Sequence, residues 1–179
     1  MFADYFSIGD QTHYTVAYRK WVTFGYQHFL NSGGFEKQAC SYRFWSKGDS
    51  NTALAVGLLQ SSSDNLRRPF PLLLIGTGQF PCWQKMWHAF PDTFKNVWTE
   101  LEKIAGERYQ SPGDIATDFA KISPLALSEH QGVQPCPEAI PNAVFTGGCG
   151  EKNTVFRFTG PLTAQDFIQL WSFKTSLTP

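Results

Sequence analysis

The chain has 179 residues, a length that fits one globular domain and is too short for two of ordinary size. Hydrophobic residues make up 42% of it and charged residues only 17%, which is typical of a chain that buries a core and excludes the disordered class. Fifteen basic residues balance fifteen acidic ones. This balance disfavours a nucleic-acid binder or a polybasic membrane-surface protein, because both depend on clustered positive charge.

Hydropathy and cysteine spacing indicate where the protein resides. The longest apolar run, Leu72 to Ile75, is far shorter than the roughly 20 residues of a transmembrane helix, so we expect no membrane span. Asp4 lies where an export signal would carry a basic start and an apolar stretch, which predicts a cytoplasmic protein. The cysteines form no Cys-x-x-Cys pair, and we expect reduced, mostly buried thiols at Cys40, Cys82, Cys136 and Cys149.

The first half of the chain predicts one helix followed by three strands. Asp10 is the candidate cap of the helix, whose apolar residues recur at helical spacing. Gly76-Thr77-Gly78 fits a turn from the third strand into a helix better than a dinucleotide loop, because a third glycine is missing and Pro81 follows. The other predicted features are a helix stop at 31–34, strands at 40–45, 53–59 and 70–75, and a polar link at 60–68.

The second half begins with the clearest helical pattern, an apolar stripe in which five residues are Trp or Phe. Pro91 interrupts the stripe, so we expect a kink or two abutting helices with Pro91 in the first turn of the second. We expect the stripe to form core, although a fraction of it exposed as a partner groove is the alternative. The stripe consists of Trp83, Trp87, Phe90, Phe94, Val97, Trp98, Leu101 and Ile104.

The remaining elements complete the predicted fold. Ser111–Asp114 and Thr163–Asp166 are typical of helix starts, residues 143–146 and 154–158 predict a hairpin, and 124–141 predicts a long loop. The predicted order is therefore αβββ–αα–ββα. Strands joined by short turns pair antiparallel, which predicts a single α+β domain with a mainly antiparallel central sheet flanked by helices.

Candidate catalytic and metal-binding residues are few. Cys149 with His88 or His130 could form a nucleophile and base, and His130, Cys136 and Cys149 could bind zinc, but three irregularly spaced ligands make a weak metal pattern. No carboxylate pair or cofactor loop is placed by the sequence. We therefore expect no catalytic residue, no metal and no cofactor. A hydrolase that uses Cys149 or Ser62 as nucleophile is the alternative.

The most informative segment runs from residue 57 to residue 72. It combines two apolar stretches with a polar turn that carries an acid and two arginines. The Asp64 carboxylate can cap backbone N–H groups and contact the Arg68 guanidinium at two points. Two interpretations stay open: the Asp64–Arg68 pair only clamps the turn, or Ser62, Asp64 and Arg67 or Arg68 form a recognition surface.

This segment resembles the signature of the TagF/ImpM family, accessory proteins of bacterial type VI secretion. The family pattern is Gly-Val-Leu-Met-Pro-Ser-Val-Asp-x-Val-Gly-Arg-x-Phe-Pro-Leu. Ser61 replaces the family proline and Arg67 replaces the family glycine, and the second departure affects how tightly the turn can close. The matching residues are Gly57, Leu59, Ser62, Asp64, Arg68, Phe70, Pro71 and Leu72.

The resemblance extends beyond the signature. Residues 2–6 and 9–10 are similar to a stretch near the start of the family, Trp21 stands where the family carries a tryptophan, and residues 143–148 and 167–171 resemble its tail more weakly. The resemblance implies one TagF-like domain over residues 1–179, with the family's first strand missing before residue 1. We expect such a loss to leave one sheet edge unpaired.

The resemblance also implies a function. It implies a non-enzymatic, cytoplasmic, post-translational regulator of type VI secretion that binds a protein partner, such as a forkhead-associated-domain scaffold or another secretion component. The residues that it carries over as binding candidates are Asp4, Ser62, Asp64 and Arg68. A structural subunit of the secretion machine is a further alternative.

Overall fold

The computed structural model describes residues 7–34, 38–63, 67–109, 111–122, 139–150 and 153–172. Within these ranges it contains five α-helices and five strands, and the predicted α+β fold is confirmed. The helices are α1 (His13–Asn31), α2 (Phe90–Thr93), α3 (Lys95–Gly106), α4 (Pro112–Phe119) and α5 (Ala164–Trp171). The strands are β1 (Cys40–Lys47), β2 (Ala53–Ser63), β3 (Pro69–Gln79), β4 (Ala143–Cys149) and β5 (Thr154–Phe158).

The five strands form one antiparallel sheet in the order β3-β2-β1-β4-β5. The meander β1–β2–β3 and the hairpin β4–β5 are each local in sequence. They join where β1 pairs with β4, and Phe44 at the centre of β1 lies opposite Gly57 of β2 and Phe145 of β4. The apolar stretch at 53–59 is therefore an interior strand, as its two apolar faces predict.

Helices α1 and α5 cover one face of the sheet. The buried side of α1 carries the predicted apolar stripe, which packs against β1, β4 and α5. Trp21 of α1 stacks edge-on against Phe167 of α5, with ring centroids 5.5 Å apart, and its Nε1–H donates to the Thr163 carbonyl at 2.7 Å. This hydrogen bond satisfies the indole donor and fixes the start of α5 against α1.

The aromatic stripe that follows β3 covers the opposite face of the sheet. Seven of its eight residues are buried, and Val97 packs partly buried against them, so its predicted place in the core is confirmed. Trp98 Nε1 lies 3.1 Å from the Gly57 carbonyl and 3.3 Å from the Phe44 carbonyl, which anchors α3 on two strands. Arg43 of β1 adds a two-pronged contact to Glu102 of α3, at 2.6 and 2.8 Å.

Several predicted boundaries are wrong. Strand β2 continues to Ser63, into the predicted polar link at 60–68, and β4 continues to Cys149, beyond its predicted end at 146, because both are paired with β1 or β3 over these residues. The N-cap of α1 is Thr12, whose Oγ1 accepts from the Thr15 N–H at 3.1 Å. Asp10 lies two residues earlier, and its backbone carbonyl accepts from the Thr15 hydroxyl at 3.1 Å. The Gly76–Gly78 segment is not a turn, because β3 continues to Gln79 opposite β2. Pairing with an apolar neighbour strand overrides the local preference of two glycines for a turn.

The helical stripe is also less regular than its periodicity predicts. It begins with two 3-10 turns, Trp83–Lys85 and Trp87–Ala89, and Pro91 lies in the first turn of α2. The predicted break and the place of Pro91 are therefore confirmed. The predicted starts of α4 and α5 are also confirmed, since Ser111 and Thr163 each form a capping box.

The cysteine prediction is wrong for two of the four residues. Cys40 and Cys149 form a disulfide, and Cys82 is free and exposed. The two residues are 109 positions apart, so their spacing along the chain carries no sign of a contact that the pairing of β1 with β4 creates. Cys136 and most of the predicted 124–141 loop lie outside the described residues.

Candidate functional site

The resemblance places the candidate site at the β2–β3 corner, defined here as residues 62–68, of which 62, 63, 67 and 68 are described. Ser62 and Ser63 end β2, and β3 begins at Pro69, so the predicted apolar stretches are adjacent antiparallel strands. The side chains of Ser62, Arg67 and Arg68 are exposed. The structure thus brings three of the predicted residues together at one end of the sheet.

The β2–β3 corner is attached to the rest of the fold by polar contacts on both strands. The Tyr26 hydroxyl of α1 donates to the Pro69 carbonyl at 3.0 Å, and its ring lies edge-on to Phe70 at 5.3 Å. Ser61 Oγ accepts from the Cys40 N–H at 2.8 Å. A proline at position 61, as in the family pattern, lacks this hydroxyl, so Ser61 contributes a bond that the family residue cannot make.

Gly57, the first residue of the signature, is required by close packing. A Cβ at this position would lie 2.3 Å from the Leu74 carbonyl oxygen and 2.6 Å from the Phe44 ring. The apolar residues beside it, Leu58 and Leu59, are fully buried on opposite faces of the sheet. The first part of the signature therefore encodes packing of β2, and its exposed part begins at Ser62.

Arg67 occupies the left-handed region of the backbone, with φ of 59°. This is the position where the family carries glycine, the residue that adopts a positive φ without a Cβ penalty. An arginine there retains the turn at a cost in free energy of about 1 kcal/mol. The substitution places a second exposed guanidinium beside that of Arg68.

Replacing Arg67 by glycine is expected to raise the free energy of unfolding by about 0.5–1 kcal/mol, because it removes that backbone cost. Urea denaturation measures the change. Arg157→Gly is the matched control, since Arg157 lies in extended β5 and glycine should lower the stability there. A loss of stability in Arg67→Gly would contradict the backbone explanation.

The other predicted site residues fall outside the described part of the chain. Asp4 and Asp64 both belong to undescribed segments, so the contact of Asp64 with Arg68 stays a prediction. Arg68 itself is exposed and takes part in an interaction.

The candidate residues of the alternative hydrolase lie on different elements of the fold. Cys149 Sγ is bonded to Cys40, so in this state it has no thiol to act as nucleophile. Ser62 is the penultimate residue of β2. The described histidines lie on α1 (His13 and His28) and in a 3-10 turn (His88). Over the described ranges, no three His, Cys, Asp or Glu residues come together as a metal-binding group.

A shallow polar depression of about 300 Å³ lies beside α4, apart in sequence from the β2–β3 corner. Asp118 accepts a hydrogen bond from Tyr109 at 3.1 Å and lies 2.7 Å from Lys121 Nζ. Both donors lower the pKa of the Asp118 carboxyl, and Lys121 has the larger effect. Two of the lining residues, Tyr109 and Asp118, are therefore paired with each other. The residues that line the depression are Arg108, Tyr109, Asp114, Thr117 and Asp118.

Two features of the site region went unpredicted. One is Tyr26, which the predicted stripe of α1 does not include; it lies on the buried face of this helix, and its hydroxyl donates to the Pro69 carbonyl of β3. The other is the disulfide. Cys40 stands at the start of one predicted strand, and Cys149 follows the predicted strand 143–146. These positions indicate a disulfide only once the two strands are known to be neighbours.

The fold is similar to a solved structure. The crystal structure of PA0076 from Pseudomonas aeruginosa PAO1 matches 98% of this chain and 92% of its own, with a TM-score of 0.64 and 14% sequence identity. At this identity the likeness shows the fold alone. No protein-family model matches the chain, and no curated protein matches its sequence. No helix in the described ranges is both long and apolar enough to cross a membrane.

Proposed function

We propose that this protein is a non-enzymatic accessory protein of bacterial type VI secretion, of the TagF/ImpM kind. It acts in the cytoplasm as a post-translational regulator, by binding another protein through the β2–β3 corner. The partner is a forkhead-associated-domain scaffold or another component of the secretion machine.

One observation carries the proposal: a corner that resembles a family signature joins two packed strands and exposes its polar residues. Ser62, Arg67 and Arg68 are all exposed, whereas Leu58 and Leu59 earlier in the signature are fully buried. Packing explains the apolar part of the signature, whereas Ser62 and Arg68 of its polar part lie in solvent, next to the additional arginine at position 67. Guanidinium groups are well suited to a carboxylate-bearing protein surface, because each can make a two-pronged contact.

The attachment of the corner supports the same proposal. Tyr26 and Phe70 hold the start of β3 against α1, and Ser61 holds the end of β2 against β1. A binding surface on such supports loses little conformational entropy when a partner docks. The fold likeness to PA0076 is compatible with the proposal and adds no information on function.

Arg68→Ala is expected to weaken capture of the partner in a pull-down at least tenfold, because it removes a guanidinium from the centre of the proposed surface. Circular dichroism and the urea midpoint show whether the variant is folded. Arg157→Ala is the matched control: Arg157 is also exposed, but it lies on β5, at the opposite edge of the sheet from β3.

Each outcome of this experiment is informative. Loss of capture by folded Arg68→Ala, with Arg157→Ala unchanged, supports the proposed surface. Unfolding of Arg68→Ala supports the interpretation in which Asp64 and Arg68 only clamp the turn. Unchanged capture by a folded variant contradicts the proposed site. Deletion of the gene should alter secretion, and persistent co-purification with baseplate components would favour a structural subunit over a regulator.

A further inference from the structure

The disulfide lies at the point where the two halves of the sheet meet. Gly150 N donates to the Ala39 carbonyl at 2.9 Å, so the neighbouring pair, Cys40 and Cys149, is of the non-hydrogen-bonded type. Side chains are closest in such pairs of an antiparallel ladder, which allows two cysteines to bond across it. The pairing of Cys40–Ser46 with Ala143–Cys149, here called the β1–β4 seam, therefore ends on a covalent link.

Both sulfur atoms also have positions ready for a thiol proton. Cys149 Sγ lies 3.7 Å from the Leu170 carbonyl oxygen, and Cys40 Sγ lies 3.7 Å from the Gln38 carbonyl oxygen. An S–H group can donate over these distances. Each sulfur of the pair therefore has a backbone carbonyl nearby that can accept from a thiol after reduction.

The two cysteine residues differ in exposure. Cys40 is 3% exposed, whereas Cys149 is only partly buried and is followed by the exposed Gly150. The Tyr42 hydroxyl lies 3.6 Å from Cys149 Sγ and donates to the Leu170 carbonyl at 2.5 Å. Burial raises the pKa of Tyr42 to about 12, so this hydroxyl stays a neutral donor at physiological pH. Cys149 is therefore the residue of the pair that we expect an incoming thiol to reach first.

We propose that Cys40–Cys149 is a reversible thiol–disulfide exchange site, at which a low-molecular-weight monothiol attacks Cys149. A thiolate bonds to Cys149 Sγ while the bond to Cys40 breaks, and Cys40 leaves with the electron pair and takes up a proton. A second thiol attacks the added sulfur of the mixed disulfide, and Cys149 leaves and is protonated. The net change reduces the protein by two electrons and oxidises two monothiols to one disulfide.

The redox state controls the β1–β4 seam. The bond joins the meander β1–β2–β3 to the hairpin β4–β5, which in the described part of the sheet pair only along β1 and β4. The oxidised protein holds this pairing covalently, and the reduced protein holds it by hydrogen bonds and packing. At the proposed cytoplasmic location the compartment is reducing, and protein disulfides there are mostly transient or redox-sensing, which is the behaviour proposed for this pair.

The test uses the full chain with Cys82→Ser and Cys136→Ser, which leaves only the two cysteines of the pair. The folded protein is equilibrated in glutathione buffers, and its thiols are alkylated and counted by mass spectrometry. The number of alkylated thiols per chain should rise from zero to two as the buffer becomes more reducing, and it should return to zero when the buffer is made oxidising again. Two thiols in fully oxidised buffer would overturn the proposal, and so would a bond that resists excess thiol until urea unfolds the chain.

A second measurement tests the attacked sulfur. In the same background, Cys40→Ser leaves Cys149 alone and Cys149→Ser leaves Cys40 alone. Oxidised glutathione should form the mixed disulfide at Cys149 at least tenfold faster than at Cys40, because access limits the reaction. Equal rates, or a faster reaction at Cys40, would overturn the assignment. Neither measurement involves a binding partner, so the proposal stands or falls separately from the proposed function.

Discussion

Replacing Gly57 by alanine is expected to lower the free energy of unfolding by about 3 kcal/mol. The added Cβ would meet the Leu74 carbonyl oxygen at 2.3 Å and the Phe44 ring at 2.6 Å. The carbonyl belongs to the backbone of β3 and the ring is buried in the core, so neither can move without disturbing the packing of the sheet. Overpacking of this kind costs about 1–3 kcal/mol of stability. We expect a cost at the upper end of this range because the added Cβ would contact a backbone atom, which cannot rotate away.

Gly76→Ala is the matched control for this prediction. Gly76 lies on β3, one residue beyond the Ile75 that pairs with Gly57, and the nearest atom to its Cβ would be 3.9 Å away. Alanine there should be neutral or stabilising by about 0.5–1 kcal/mol, because glycine loses more backbone entropy on folding. Urea denaturation compares the two variants. Equal effects would show that the loss at Gly57 does not come from the contacts with Leu74 and Phe44.

Removal of the disulfide is the second change with a large expected effect. Cys40→Ala combined with Cys149→Ala should lower the free energy of unfolding by about 4 kcal/mol under non-reducing conditions. The bond closes a loop of 109 residues in the unfolded chain, and the loss of loop entropy for about 100 residues corresponds to a stabilisation of roughly 4.7 kcal/mol. The measurement is the urea midpoint and slope of both proteins.

The control for this change is Cys82→Ser, since Cys82 is free and exposed and should alter stability by less than about 0.5 kcal/mol. Excess reductant provides an internal comparison. It should lower the stability of the unmodified protein towards that of the double variant and leave the double variant unchanged. A reductant effect of equal size on both proteins would contradict a stabilising bond between Cys40 and Cys149.

The two predictions concern opposite sides of the central strand. Gly57 lies opposite Phe44 where β1 meets β2, and Cys149 lies opposite Cys40 where β1 meets β4. The first contact is part of the signature that resembles the TagF/ImpM family, and the second is absent from it. The proposed binding surface and the proposed redox site therefore occupy the same scaffold but rest on different residues, and each can be tested without the other.

The sequence predicted most elements because their patterns are local. Ser111 with Asp114, and Thr163 with Asp166, are capping boxes whose partners are three residues apart, and both helices begin there. The prediction of a turn at Gly76–Gly78 is wrong because these residues pair with β2, an apolar strand that extends β3 through them. Arg67 retains a backbone conformation that glycine would favour, and residue preference alone does not predict that.

The sequence by itself determined the α+β class, the order of the elements, the burial of the aromatic stripe and the resemblance that suggests a function. Helical and strand periods and caps act over a few residues, so they are legible along the chain. Only the tertiary structure decided that β1 pairs with β4, that Cys40 meets Cys149 across this pairing, and that Tyr26 supports the β2–β3 corner. These contacts join residues 43 to 109 positions apart, and packing of the whole core sets their register.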